Sequence, residues 1–241
     1  MKPQGKKASP EQLEKIGALA AEMVEDGDRV GLGSGKAALA FVRALGARIK
    51  AGKVKASGVP TSLLTEQVAR EAGVPILTLE EVDWLEIAVD GADEVDPALN
   101  LIKGGGGNLT REKVIASISK RLVIVVGEEK LVEKLGTTFP VFLEVIEFAR
   151  PVVVRKMEAM EARVEQRRNA DGSVFLTDNG NPYLHCVFEG TAAERLEDPG
   201  TLNLALHAMP GVLETGLFIG MAQEVIVAFT DGRIERRKRG G

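Results

Sequence analysis

Arg29-Val30-Gly31-Leu32-Gly33-Ser34-Gly35-Lys36-Ala37 reads as a short apolar strand that enters a glycine turn and then a helix over 37–49. Asp26-Gly27-Asp28 separates this unit from an earlier helix, which is predicted to start at Ser9-Pro10-Glu11-Gln12 and to run to about residue 25. There Ser9 serves as N-cap, Pro10 takes the first helical position and Gln12 closes a capping box. The pattern then recurs, with a strand over 56–59, a helix over 62–72 and short apolar runs at Ile76-Leu77 and Ile87-Ala88-Val89. Such alternation implies a parallel sheet covered by helices.

Further along, Thr110 is a candidate N-cap for a helix over 110–120, and Leu122-Val123-Ile124-Val125-Val126 has the unbroken apolar character of a strand buried on both faces. From Phe139 the pattern changes to strands over 141–144, 174–177 and 184–188 with helices over 151–160 and 199–208. Val225-Ile226-Val227-Ala228 returns as a strand to the first domain. The predicted fold class is therefore α/β, a Rossmann-like parallel sheet with helices on both faces (1–137 and 217–241), plus a smaller ferredoxin-like α+β subdomain (138–216) that offers an oligomer contact.

A chain of 241 residues with 44% hydrophobic residues can bury a real core, as one large domain or two modest ones. Thirty-one Lys and Arg against 35 Asp and Glu leave a net charge of −4, which argues against general attraction to nucleic acid or to an anionic membrane. An anionic substrate must then be met locally. Cys186 is the single cysteine, so neither an intramolecular disulfide nor a cysteine-built metal site can form, which fits a reducing cytoplasm. The start, Met1 to Lys7, is polar and basic, with no apolar run behind it long enough for a signal peptide or a membrane span. The expectation is a cytoplasmic protein with a short disordered leader. The basic run Arg236-Arg237-Lys238-Arg239 reads as a solvated tail.

Gly31-x-Gly33-x-Gly35 between strand and helix lets backbone N–H groups approach an anion at a helix N-terminus. Glycines at such turns also serve tight packing, and spacing does not separate the two uses. The stretch has neither the spacer of a P-loop nor the third glycine of a dinucleotide motif. Asp90-Gly91-Ala92-Asp93-Glu94 follows an apolar strand, so its carboxylates fall beyond a strand's C-terminal end, where open α/β sheets bind ligands. The same aspartates could instead cap a turn. Lys103-Gly104-Gly105-Gly106-Gly107-Asn108 is more unusual, because four consecutive glycines carry an entropic cost that a connecting loop does not require. Something must approach that backbone closely. Glu112 falls in the first turn of the next helix, as a general base or as an acid that favours the helix dipole.

Together, Asp90-Gly91-Ala92-Asp93-Glu94 and Lys103 to Lys113, with Thr110-Arg111-Glu112-Lys113, closely resemble the signature of the ribose-5-phosphate isomerase A family. The resemblance implies Glu112, Asp90, Asp93 and Lys103 as catalytic residues. It implies Ser34, Gly35, Lys36, Ala37, Gly91, Ala92, Gly104, Gly105, Gly106 and Lys130 as substrate contacts, with no metal and no cofactor. It also implies an aldose-ketose isomerase acting on a phosphorylated sugar and assembling as a homodimer or homotetramer. One departure stands out: the family's Gly-Thr-Gly-Ser-Thr is Gly33-Ser34-Gly35-Lys36-Ala37 here, which loses two hydroxyl donors and gains an ammonium. The competing expectations are a sugar-phosphate-sensing module, a different phosphosugar preference, or an enzyme of similar fold acting on amino-sugar phosphates or thioesters. His185 and His207, the only histidines, are expected to be structural.

Overall fold

Ser9 and Gln12 start the first helix reciprocally: the Ser9 hydroxyl accepts the Gln12 N–H at 3.2 Å and the Gln12 side chain accepts the Ser9 N–H at 2.7 Å. The helix ends at Ala21, short of the predicted residue 25, because the Asp28 carboxylate draws the Glu25 N–H into a turn at 2.9 Å. The structure, a computed structural model, describes residues 7–240; the leader expected before Lys7 lies outside the described residues.

In chain order the elements are α1 (Pro10–Ala21), β1 (Arg29–Leu32), α2 (Gly35–Lys50), β2 (Ser57–Pro60), α3 (Leu63–Ala72), β3 (Ile87–Asp90), β4 (Glu94–Val95), β5 (Leu101–Ile102), α4 (Leu109–Ser117) and β6 (Leu122–Gly127). They continue with β7 (Val141–Val145), α5 (Arg150–Ala159), β8 (Ala162–Gln166), β9 (Tyr183–Phe188), α6 (Pro199–His207), β10 (Val212–Thr215), β11 (Leu217–Phe218), β12 (Glu224–Ala228) and β13 (Ile234–Lys238). Two compact units result: Asp93–Thr110 with Val132–Gly220 form one, and the other described residues through Ala92, with Arg111–Leu131 and those from Met221 on, form the second.

The second unit holds a six-stranded sheet in the order β13-β12-β6-β3-β1-β2, parallel throughout except for the β12–β13 edge pair. Val30 and Leu32 on one face of β1 join a core with Phe41, Val42 and Leu45 of α2 and Ile16 of α1. On the opposite face, a Cβ at Gly31 would meet Ile115 of α4, so helices cover both sides of the sheet. Arg236 and Arg237, read from the sequence as a solvated tail, lie in β13, where Arg236 pairs with Glu224 and Arg237 with Glu235. Paired charges let a basic segment close a sheet edge.

The first unit contains the order β10-β7-β9-β8, antiparallel throughout, from a β7-α5-β8-β9-α6-β10 chain path, which is the ferredoxin-like arrangement. Its core packs Leu143, Leu184 and Cys186 with Val153, Met157 and Leu206. Burial pushes the Cys186 thiol up, so it stays protonated and inert. No strand forms over 174–177; only isolated bridges at Val174 and Leu176 do, because Thr177, Asn179 and Asn181 turn inward onto Glu144. The unit begins earlier than residue 138. β4 and β5 pair with β11, and the buried Glu94 carboxylate accepts the N–H groups of Gly136 at 2.5 Å, Phe139 at 2.8 Å and Thr138, which ties 93–110 and 132–139 to this unit.

At the base of the parallel sheet, Glu86 accepts from the Arg29 guanidinium at 2.8 Å and from the Trp84 indole at 3.0 Å. Arg29 holds the Glu86 carboxyl well below the ordinary glutamate range, at about 2. A depressed acid stabilises the fold above its ordinary pKa and loses that contribution as pH falls through the folded value. Glu86→Gln should therefore be less stable than the parent at neutral pH, and the gap measured by denaturant unfolding should shrink as pH falls from about 4.5 towards about 2.

Candidate active site

The strand order places β2 on one side of β1 and β3 on the other, so the order in which strands are added reverses between β1 and β3, and their carboxyl ends frame the crevice where open α/β sheets bind ligands. Gly33 follows β1 and Asp90 ends β3. The two approach so closely that a Cβ at Gly33 would collide with the Asp90 carboxylate and its Cα. One oxygen of that carboxylate, Oδ1, accepts the Ser34 N–H at 2.9 Å and the Gly91 N–H at 2.7 Å. From behind, Thr65 donates its hydroxyl to the Gly33 carbonyl at 3.1 Å, and Thr61 donates to the Leu32 carbonyl at 3.0 Å.

Ser34 is the N-cap residue of α2, yet its hydroxyl does not cap the helix; it donates to Glu112 Oε1. Glu112 lies in the first turn of α4 and is only 5% exposed. The structure thus brings Ser34, Asp90 and Glu112 together. Gly35, Lys36 and Ala37 form the first turn of α2, where N–H groups are unclaimed by the helix itself; the Lys36 side chain is exposed. Gly91 sits beside Ser34, since a Cβ there would be 3.6 Å from the Ser34 carbonyl oxygen, and Ala92 follows half-buried. Lys130 ends the short turn after β6, the strand next to β3, at the same carboxyl edge of the sheet.

The other unit carries Asp93, Lys103 and the glycine run. Asp93 Oδ2 accepts the Gly105 N–H at 2.7 Å, which claims one of the three amides expected to face a substrate. Lys103 is 3% exposed; its backbone N–H donates to the Gly216 carbonyl at 2.9 Å, and its ammonium lies 5.4 Å from the Phe218 ring centre. Gly104 has a φ of +115° and the Tyr183 hydroxyl against its Cα, and Gly107 has a φ of +92° with Phe175 and Arg167 close by. Those backbone angles exclude side chains. Gly106 differs, because an added Cβ would meet only Asn108 Nδ2, at 3.5 Å.

Three residues that matter here are silent in the sequence reading. Tyr183 donates to the Gly104 carbonyl at 2.5 Å, and Arg167 donates to the Gly105 carbonyl at 3.2 Å while stacking 3.9 Å from the Phe175 ring centre. Glu144, fully buried, accepts from Thr110 at 2.5 Å, Thr177 at 2.9 Å, Asn181 at 2.8 Å and Asn179 at 3.1 Å. Thr110 is consequently not the cap of α4 but a residue inside it whose hydroxyl helps to satisfy a buried carboxylate. The sole tyrosine, at the head of an apolar strand, was the one available signal. His207 is held by Glu214 at 2.6 Å, and His185 lies edge-on to Phe142 and Tyr183, with burial and then Arg167 lowering its pKa. Among the described residues no group of three His, Cys, Asp or Glu side chains is placed to hold a metal ion.

Buried carboxylates at the switch point of a parallel sheet, beside a helix start, mark an α/β enzyme of acid/base chemistry on a small molecule. Residues 57–232 match the sequence profile of ribose 5-phosphate isomerase A (phosphoriboisomerase A). The chain is 45% identical to the ribose-5-phosphate isomerase A of Bradyrhizobium diazoefficiens over 93% of its own length and 95% of that protein's. It also superposes on the ribose 5-phosphate isomerase A of Methanocaldococcus jannaschii with a TM-score of 0.88, at 36% identity, over 95% of this chain and all of that one. A D-ribose-5-phosphate isomerase solved with phospho-erythronic acid gives a TM-score of 0.90 at 36% identity, covering 96% of this chain and 100% of its own. The chain belongs to the ribose 5-phosphate isomerase A family.

The contrast between the two glycine positions is measurable. Gly33→Ala should cost about 1–3 kcal/mol in denaturant unfolding, since Asp90 must move. Gly106→Ala should change stability by less than about 0.5 kcal/mol.

Proposed function

We propose that this chain interconverts D-ribose 5-phosphate and D-ribulose 5-phosphate through a cis-enediolate, as the aldose-ketose isomerase of the non-oxidative pentose phosphate pathway. The observation that carries the reading is Glu112, a buried carboxylate oriented by the Ser34 hydroxyl, in a chain of this family. Glu112 removes the proton from C2 of the open-chain aldose and returns it to C1, while the hydroxyl proton passes from O2 to O1. Atoms and charge balance, and one carboxylate within reach of both carbons suffices. The base and the cation are both side chains, so the reaction as proposed needs neither metal nor organic cofactor.

Lys103 and the Gly106 amide offset the negative charge that develops on the sugar oxygens, a contribution often worth a few kcal/mol per donor. The open side of Gly106 supports close approach of an oxygen there. The amides of Gly35, Lys36 and Ala37 receive the phosphate at the start of α2, beside Ser34, whose own N–H and hydroxyl are held by Asp90 and Glu112. The exposed Lys36 ammonium takes the place of the missing hydroxyls by a charge-assisted contact, and Lys130 adds a second cation. Asp90 and Asp93 hold sugar hydroxyls and assist ring opening. The chain passes between its two units at the Ala92–Asp93 peptide, so the two acids are covalent near neighbours.

A lone buried thiol fits a place in the cytoplasm. Exposed Phe148 (96%) and Leu204 (72%) on the ferredoxin-like unit support self-association as a homodimer or homotetramer.

Ketose formation from ribose 5-phosphate, followed in EDTA, tests the reading. The parent protein should turn over, and Glu112→Gln should lower kcat by roughly three orders of magnitude with KM changed only a few-fold. An inactive parent, or an active Glu112→Gln, would contradict it.

A further inference from the structure

The two aspartates do the same structural work in their separate units. In each, a carboxylate takes the N–H of one glycine-loop peptide while a buried hydroxyl takes the carbonyl of that same peptide. For the Gly33–Ser34 peptide the N–H goes to Asp90 at 2.9 Å and the carbonyl receives Thr65 Oγ1 at 3.1 Å. For the Gly104–Gly105 peptide the N–H goes to Asp93 at 2.7 Å and the carbonyl receives Tyr183 Oη at 2.5 Å. A trans peptide is planar with its N–H and C=O opposed, so grips at both ends remove rotation of the peptide plane. Thr65 and Tyr183 are both fully buried, so their hydroxyls have no water to compete for them.

The neighbouring peptides inherit that orientation. Arg167 holds the Gly105 carbonyl at 3.2 Å, which turns the Gly106 N–H the opposite way, and the Gly107 N–H closes the turn onto the Gly104 carbonyl at 2.8 Å. Behind the other loop, Ser62 Oγ donates to Thr65 Oγ1 at 2.9 Å, which leaves the Thr65 proton directed to Gly33. Neither hydroxyl belongs to the residues assigned to substrate.

We infer that Thr65 and Tyr183 are positioning residues, Thr65 aiming the loop that receives the phosphate and Tyr183 aiming the loop that meets the developing enediolate charge. The inference rests on the isomerase reading and predicts distinct kinetic signatures. Phosphate contacts are made equally in the bound substrate and the transition state, whereas contacts to the enediolate are made only in the latter. Removing the Thr65 hydroxyl therefore acts mainly on KM, with a smaller loss of kcat passed through Ser34 to Glu112, whereas removing the Tyr183 hydroxyl acts on kcat.

Thr65→Val and Tyr183→Phe keep the shape of each side chain and delete its hydroxyl, which in Thr65 also accepts from Ser62. Thr65→Val should raise KM for ribose 5-phosphate about tenfold with kcat within about threefold of the parent. Tyr183→Phe should lower kcat about tenfold with KM within about twofold, and should weaken inhibition by phospho-erythronic acid, whose carboxylate carries charge where the enediolate does, by about tenfold. Thermal unfolding of each variant, run beside the kinetics, separates loss of fold from loss of aim. The inference is overturned if either folded variant matches the parent, or if both lose kcat and KM in the same proportion. Should one variant fail to fold, the other decides alone by its own signature. An inactive parent protein would sink the isomerase reading and the inference together, while an active parent with indifferent variants sinks the inference only.

Discussion

Asp90 Oδ1 is the point on which the parallel-sheet unit's chemistry turns. Two N–H groups, from Ser34 and Gly91, converge on this one buried oxygen, and the Gly33 backbone passes too close to it for any side chain. A carboxylate buried to 3% exposure must be compensated by donors, and here the donors are the loops themselves. The turn after β1 and the turn after β3 are thereby locked to each other. Ser34 can then point its hydroxyl at Glu112 instead of capping α2, so the helix start forgoes a side-chain cap while the carboxylate gains an orienting donor.

The ferredoxin-like unit repeats that logic with different residues. Its four-stranded sheet supplies Tyr183 and, just beyond β8, Arg167, which reach the carbonyls of Gly104 and Gly105. Asp93 takes the intervening N–H. The run of glycines is thus needed for two distinct reasons. Gly104 and Gly107 adopt angles closed to other residues and are crowded by Tyr183 and Phe175, whereas Gly106 lies open. Glu144, the β7 partner of Tyr183 in the antiparallel register, stabilises the Thr177–Asn181 turn beside it through three neutral donors and takes a fourth from Thr110 of α4. A buried acid with that many donors holds three chain segments at once, and each would lose its partner if the acid were removed.

Much of this was legible in the residues. The strand–glycine–helix alternation gives the parallel sheet because period and punctuation are local properties, and the capping box at Ser9 and Gln12 lies where they predict. The unusual cost of four adjacent glycines correctly marked a place of close approach. What approaches could not be read, since Tyr183 is 79 positions from Gly104 in the chain and Thr65 is 32 from Gly33. β8 and β13 escaped for another reason: Arg163, Glu165, Arg236 and Arg237 dilute the apolar signal in edge strands, where charges pair across the surface instead of facing a core. Thr110 looked like a cap because hydroxyls favour caps; a buried carboxylate competed for it and won.

The central claim is that a single carboxylate on one side of the sugar moves the proton between C2 and C1. Running the reaction in heavy water until ribose 5-phosphate and ribulose 5-phosphate have exchanged many times, then reading the ketose by proton NMR, addresses it directly. One base acting on one face of a cis-enediolate predicts deuterium at a single one of the two C1 positions. Deuterium at both C1 positions would contradict the account.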